Sequence, residues 1–79
     1  MALRLQDIPP GRLARVLGFG ATATGYRQRL LAMGLTPGTT LKLIRVAPLG
    51  DPVLVELRGF RLSLRKDEAA ALQIELVTP

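Results

Sequence analysis

Short apolar runs separated by glycine and proline constrain the fold of this chain more than any other feature. Eight glycines and six prolines are spread along 79 residues. No apolar run approaches the roughly 20 residues that a membrane-spanning helix needs. Several runs alternate apolar and polar residues, as half-buried strands do. The sequence therefore predicts a single, mainly β domain over residues 1–79, with no signal peptide at its start.

The alternation predicts five strands, and glycine at position 59 predicts a hairpin between the third and the fourth. The predicted strands are Leu13–Phe19, a strand that starts at Thr40, and residues 53–57, 60–64 and 73–77. A loop with two prolines, residues 47–52, separates the second strand from the third. Because proline lacks an amide donor, this loop is excluded from the sheet interior.

One helix is predicted between the first two strands, over residues 24–33. Its apolar residues recur at helical spacing and form the stripe that should pack on the sheet: Tyr26, Leu30 and Met33. Thr22 or Thr24 is suited to cap the start of this helix. A second, short helical turn is expected over residues 67–71, just before the last strand.

Two structural turns follow the first helix. Gly34 stands where a helix ends with a left-handed residue, and Leu35 is then expected to fold back over Leu30. Pro37 and Gly38 occupy the two central positions of a type II turn, since proline presets the first and glycine accepts the positive φ of the second. The helix should thus lead directly into the second strand.

This order of elements predicts a small SH3-like β-barrel, since closure removes exposed strand edges. An OB-fold is the nearest alternative. That fold usually places its helix between the third and fourth strands and needs a longer chain, so the SH3-like barrel is favoured.

The absence of cysteine and histidine excludes most catalytic and metal-binding chemistry. Without them, the commonest metal ligands and general bases are missing, and carboxylates and backbone oxygens offer only weak metal contacts. Asp67 and Glu68 are adjacent, but they lie where the first turn of a helix favours acidic residues. No phosphate-binding loop is present. We therefore expect no enzymatic activity, no cofactor and no dedicated metal site.

The net charge of +5 favours an acidic partner, and nucleic acid, an anionic lipid surface and an acidic protein face all fit that charge. Nucleic acid is disfavoured, because single-strand binders stack bases on several exposed aromatic rings and this chain has three aromatic residues in all. A protein partner and a cytoplasmic location are expected instead, and self-association stays open.

Three segments resemble the FeoA family. They are the pattern R-L-x-x-M-G-L-x-P-G over residues 29–38, the loop A-P-L-G-D-P over residues 47–52, and G-F-R-L-S-L-R over residues 59–65. They belong to a resemblance that extends over essentially the whole chain, from Leu3 to the short helix at Glu68 and Ala69, and the conjunction of these segments is strong. The resemblance implies a cytosolic accessory protein of bacterial ferrous iron uptake, which binds and modulates the permease FeoB through protein contacts.

The same resemblance implies an alternative function. The FeoA-like barrel recurs as the C-terminal domain of iron-dependent repressors, which implies a regulatory or nucleic-acid-binding module. This chain lacks a helix-turn-helix, and the permease partner is therefore the main expectation.

The partner surface is predicted on the first helix and on the proline-containing loop. The candidate residues are Arg27, Arg29, Leu31, Leu49 and Asp51. The leucines are expected to supply apolar contacts and the arginines to steer an acidic partner. The alternative surface is the strand face that carries Arg58, Arg61 and Arg65.

Overall fold

The computed structural model describes residues 4–20 and 25–77. These residues form a 3₁₀ turn over Leu5–Asp7, five strands and two short helices. The strands are β1 Leu13–Phe19, β2 Thr40–Val46, β3 Val53–Leu57, β4 Phe60–Leu64 and β5 Leu72–Leu76. Helix α1, Arg27–Ala32, lies between β1 and β2, and helix α2, Lys66–Ala70, lies between β4 and β5.

The five strands pair as one antiparallel sheet in the order β4-β3-β2-β1-β5. The predicted strands are confirmed, but the predicted closed barrel is not what the described residues form, since β4 and β5 lie at opposite edges of the sheet. The chain between these edges forms α2, whose backbone groups bond within the helix and cannot extend either strand. The sheet is therefore open between β4 and β5.

The helices also differ in their bounds from the sequence prediction. Regular helix begins at Arg27, three residues later than predicted, and the proposed cap residues Thr22 and Thr24 lie outside the described residues. Helix α2 and strand β5 each begin one residue earlier than predicted. Such shifts are ordinary at element ends, where local propensity competes with tertiary packing.

Register shifts bend two of the strands. The pairing of β1 with β5 changes between Val16 and Gly18, and the pairing of β2 with β3 changes between Leu43 and Arg45. A bulge of this kind increases the local twist and lets a sheet curve. The extra residue in β1 is Leu17, which is partly exposed.

The core is aliphatic and is formed mainly by alternate residues of the strands. In β3, for example, Val53, Val55 and Leu57 are buried, whereas the residues between them are partly exposed. The fully buried leucines and isoleucine come from the N-terminal turn, from α1 and the turn after it, and from strands β2, β4 and β5: Leu5, Leu30, Leu35, Leu41, Leu43, Leu64, Leu72 and Ile74. With the buried residues of β1, β3 and α2, every element that the structure describes contributes to one core.

The end of α1 is a Schellman motif, as predicted. Gly34 has a φ of +93°, its N–H donates to the Leu31 carbonyl at 3.0 Å, and the Leu35 N–H donates to the Leu30 carbonyl at 3.0 Å. Leu30 and Leu35 are both fully buried. The motif satisfies carbonyls that the helix end would otherwise leave free, and it returns the chain to the core.

The turn into β2 is the predicted type II turn. Gly38 has a φ of +92°, and the Thr39 N–H donates to the Thr36 carbonyl at 3.0 Å. The hydroxyls of Thr36 and Thr39 lie 2.9 Å apart and share a hydrogen bond. Thr39 is buried, so this bond satisfies its side chain within the fold.

None of the helices that the structure describes is long and apolar enough to cross a bilayer.

Replacing Gly34 by alanine should destabilise the domain by about 1–2 kcal/mol, because a Cβ is disfavoured at a left-handed φ. The added atom would meet only an ordinary contact, 3.7 Å from Leu57 Cδ1, so the loss reports backbone conformation and not a clash. Gly25→Ala is the matched control, since Gly25 does not have a left-handed φ and an added Cβ there meets no described atom within 4 Å. Urea denaturation of both variants measures the difference, and equal midpoints would contradict the assignment.

Candidate protein-binding surface

Helix α1 packs on the sheet through its apolar stripe and leaves its arginines outside. Leu30 is fully buried, and Tyr26 and Met33 are partly buried against the core, as the sequence predicts. Arg27 and Arg29 are exposed. The outer side of α1 is therefore basic.

Arg27 lies over an aromatic ring. Its guanidinium carbon is 5.9 Å from the centroid of the Phe19 ring, within the range of a cation–π interaction. Phe19 is the last residue of β1 and packs partly against the core. The ring is thus part of the rigid sheet, and it gives the exposed positive charge of Arg27 a defined position.

Arg29 pairs with the buried carboxylate of Glu68. Arg29 Nε lies 3.0 Å from Glu68 Oε2, close enough for an ion pair, although the N–H is not aligned with the oxygen as in a hydrogen bond. The Glu68 side chain is 2% exposed and that of Arg29 is 63% exposed. The other oxygen, Oε1, accepts a hydrogen bond from the Arg65 N–H at 2.9 Å. Arg29 therefore stabilises a carboxylate that would be costly to bury without partners.

The loop over residues 47–52 is an ordered turn with an apolar tip. The Gly50 N–H donates to the Ala47 carbonyl at 2.7 Å, and the Ala47 N–H donates to the Pro52 carbonyl at 3.0 Å. Leu49, at the centre of this turn, is 90% exposed. Because the turn is already ordered, this loop loses less conformational entropy when a partner binds Leu49 than a flexible loop would lose.

Asp51 connects the same loop to α2. Its Oδ1 accepts a hydrogen bond at 3.2 Å from the N–H of Lys66, the first residue of that helix. The first amides of a helix have no partner inside the helix, so this contact satisfies one of them. Asp51 thus has a structural contact in addition to any contact with a partner.

Helix α2 contacts both groups of predicted partner-binding residues. Arg27, Arg29 and Leu31 share α1, whereas Leu49 and Asp51 share the loop. Arg29 reaches α2 through Glu68, and Asp51 reaches it through the Lys66 amide. Leu31 is partly buried, which leaves Leu49 as the most exposed apolar residue of the predicted set.

A shallow depression of about 240 Å³ lies beside α2. It is lined by Tyr26, Asp67, Ala70 and Ala71. This depression is not among the features predicted from the sequence. The sequence feature that indicates it is the alanine run over residues 69–71, since the small side chains of Ala70 and Ala71 leave space next to the ring of Tyr26.

The described residues contain no group of three or more carboxylate, histidine or cysteine side chains that could hold a metal ion. The whole sequence lacks histidine and cysteine. The donors present are therefore separate carboxylates, of which Glu68 and Asp51 already have partners.

Comparison with known proteins identifies the family. The model of the FeoA domain matches residues 3–76, almost the whole chain. The chain belongs to the FeoA family. A relative from Porphyromonas gingivalis, an Fe(2+) transport protein A/Fe(2+) transporter FeoB fusion protein, is 35% identical over 79 residues. The match covers 96% of this chain and 9% of the relative, so this FeoA-family domain spans a small part of that protein's length.

Solved structures of the family share the fold. The FeoA-like protein of Clostridium acetobutylicum superposes with a TM-score of 0.85 at 31% identity, over 99% of this chain and 90% of that one. FeoA of Stenotrophomonas maltophilia, solved in complex with zinc and described as an SH3 domain protein, gives a TM-score of 0.75 at 26% identity, over 94% and 91%. The resemblance to the FeoA family in the sequence is thus confirmed.

Removing the arginine that faces Glu68 should destabilise the domain. We expect Arg29→Met to lower the free energy of unfolding by about 1–3 kcal/mol, since it leaves a buried carboxylate with one partner fewer. Arg45→Met is the matched control, because Arg45 is exposed on β2 and makes no ion pair among the described residues. Adding Glu68→Gln to Arg29→Met should recover part of the loss, since a neutral amide needs no counter-cation. If both single variants unfold at the same urea concentration, the ion pair has no structural role.

The isolated domain should show no stoichiometric, sub-micromolar binding of Fe²⁺. Ferrous iron is held tightly by imidazole and thiolate ligands, which this sequence lacks, and its carboxylates are scattered. Anaerobic titration calorimetry measures this directly. A saturable one-to-one isotherm in that range would contradict the expectation and favour a role as an iron carrier.

Proposed function

We propose that this FeoA-family domain is an accessory component of ferrous iron uptake that binds the cytosolic portion of an FeoB-type permease and modulates it. The fusion of the two proteins in the P. gingivalis relative carries this proposal. Fusion raises the effective concentration of one part at the other, which is of use when the two parts bind each other.

The domain acts in the cytoplasm by binding and not by catalysis. The absence of histidine and cysteine supports this reading, as does the lack of a clustered metal-ligand set among the described residues. Iron is the cargo of the partner and not a cofactor of this domain.

The proposed contact surface combines α1 with the loop over residues 47–52. Leu49 supplies an exposed apolar side chain on an ordered turn, and Leu31 supplies a partly buried one on α1. Arg27 adds a positioned cation that steers an acidic partner toward this surface. Helix α2 lies between the two groups through its contacts with Arg29 and Asp51.

The nucleic-acid alternative has less support. Two of the three aromatic residues, Phe19 and Tyr26, pack against the core, and Phe60 is the aromatic residue with the most exposed ring. A single ring offers little for base stacking, which single-strand binding uses repeatedly.

Loss of the two leucines of the proposed contact surface should weaken binding to the permease. We expect Leu31→Ser with Leu49→Ser to raise the Kd for the purified cytosolic portion of FeoB by about tenfold or more, which corresponds to about 1.4 kcal/mol. Leu13→Ser is the matched control, since Leu13 is a partly exposed leucine that belongs to β1 and not to α1 or the loop. Surface plasmon resonance measures the affinity, and thermal melts verify that the variants fold.

The steering role of Arg27 is tested by measuring the association rate. Arg27→Glu should slow association at low salt and leave the rate at high salt nearly unchanged, because the steering charge is screened there. Parental rates and affinities in every folded variant would place the interface elsewhere on the domain.

A further inference from the structure

Among the residues that the structure describes, strand β4 has a free edge with unpaired backbone groups. It pairs with β3, to which a loop of two residues, Arg58 and Gly59, connects it. In a hairpin with a loop of this length, the residues that flank the loop, Leu57 and Phe60, form a hydrogen-bonded pair. Hydrogen-bonded and non-hydrogen-bonded pairs alternate along an antiparallel ladder. The N–H and C=O groups of Arg61 and Ser63 therefore point away from β3, and no other described backbone group bonds to them.

The free edge has defined ends. At one end is the hairpin loop. At the other, the Arg65 N–H donates to Glu68 Oε1, and the Arg65 carbonyl accepts from the Ala69 N–H at 2.9 Å. The unpaired stretch is thus the five-residue strand Phe60–Leu64, which can accept one short added strand.

The two sides of this edge differ in chemistry. On the core side, Phe60 is 45% exposed and Leu62 is partly buried, so apolar surface reaches the edge. On the outer side, the exposed residues are Arg61 and Ser63. Cations flank the strand at both ends: Arg58, Arg65 and Lys66, all exposed. The carboxylate that faces this group from β3 is Glu56, 3.4 Å from Arg61 Nε.

We propose that the β4 edge binds an extended protein segment in which acidic and apolar residues alternate, by adding that segment to the sheet as a sixth strand. Its backbone bonds to the free groups of Arg61 and Ser63. Its apolar side chains cover Phe60 and Leu62 on the core side, and its acidic side chains lie beside Arg61 on the outer side. Such strand addition takes affinity from the main chain and specificity from alternate side chains.

A second copy of this chain fits the edge poorly. Antiparallel pairing of two β4 strands would bring the cations of one hairpin against those of the other, and like charges across strands are destabilising. Charged residues on an edge strand protect it from such pairing. The same cations attract an acidic segment, so they select for the proposed partner.

The test uses a soluble synthetic peptide that alternates glutamate and valine, titrated into the ¹⁵N-labelled domain at neutral pH. We expect chemical shift changes centred on residues 60–64 and slower amide exchange at Arg61 and Ser63. A peptide that alternates lysine and valine should bind at least about tenfold more weakly, because Coulomb repulsion replaces attraction. Shift changes centred on any other element would overturn the proposal.

Two variants separate strand addition from general attraction. Ser63→Pro removes an outward N–H without changing charge, and proline is tolerated where an edge amide faces solvent. It should melt near the parent temperature and lose about tenfold in affinity for the glutamate peptide. Arg61→Glu should lose at least as much, whereas Arg12→Glu, the same charge change on an exposed residue before β1, should lose much less.

Three results would overturn the proposal: parental affinity in Ser63→Pro, equal losses in Arg61→Glu and Arg12→Glu, or protection of the Arg61 and Ser63 amides by self-association in the absence of peptide. The last result would identify a second copy as the occupant. None of these residues belongs to α1 or to the loop over residues 47–52. The outcome is therefore distinct from that of the permease-binding experiment.

Discussion

The helical side of this domain depends on the contacts of the buried Glu68 carboxylate. A charge at this depth requires partners, and Glu68 takes them from two elements: the Arg65 amide at the start of its own helix and the guanidinium of Arg29 on α1. The contact between Glu68 and the Arg65 amide is one half of a capping box. The other half is absent, because the arginine side chain at the N-cap position, Arg65, has no acceptor for a backbone N–H. The ion pair ties α1 to α2, two helices that are each too short to be stable alone.

The local features of the fold could be read from the sequence because their causes are local. Gly34 ends α1, Gly38 turns the chain, and the Arg58-Gly59 loop closes the hairpin, each through a positive φ. The openness of the sheet could not be read in this way. Whether β4 meets β5 depends on how the residues between them pack, and alternation within each strand contains no information about strands at opposite edges.

The candidate surface was predictable in part for the same reason. The side-chain pattern assigned Leu30 to the core and Arg27 to the outside, since helical spacing decides both. The contacts of Arg29 with Glu68, and of Asp51 with the Lys66 amide, join residues 39 and 15 positions apart. Such pairs depend on tertiary placement, and no motif in a single sequence marks them. The high exposure of Leu49 follows from the two prolines that keep its loop out of the sheet.

The position of β5 at the edge of the sheet has a consequence for fused proteins. The N-terminal turn packs against β5 and α2, so the described chain enters and leaves on the same side of the domain. A polypeptide that continues from an edge strand does so without crossing the core, and a larger protein can carry this domain with its packing unchanged. A short flexible tether then supplies the domain to its neighbour at about millimolar local concentration. Under those conditions, even a weak and rapidly reversible contact with the neighbour would be occupied most of the time.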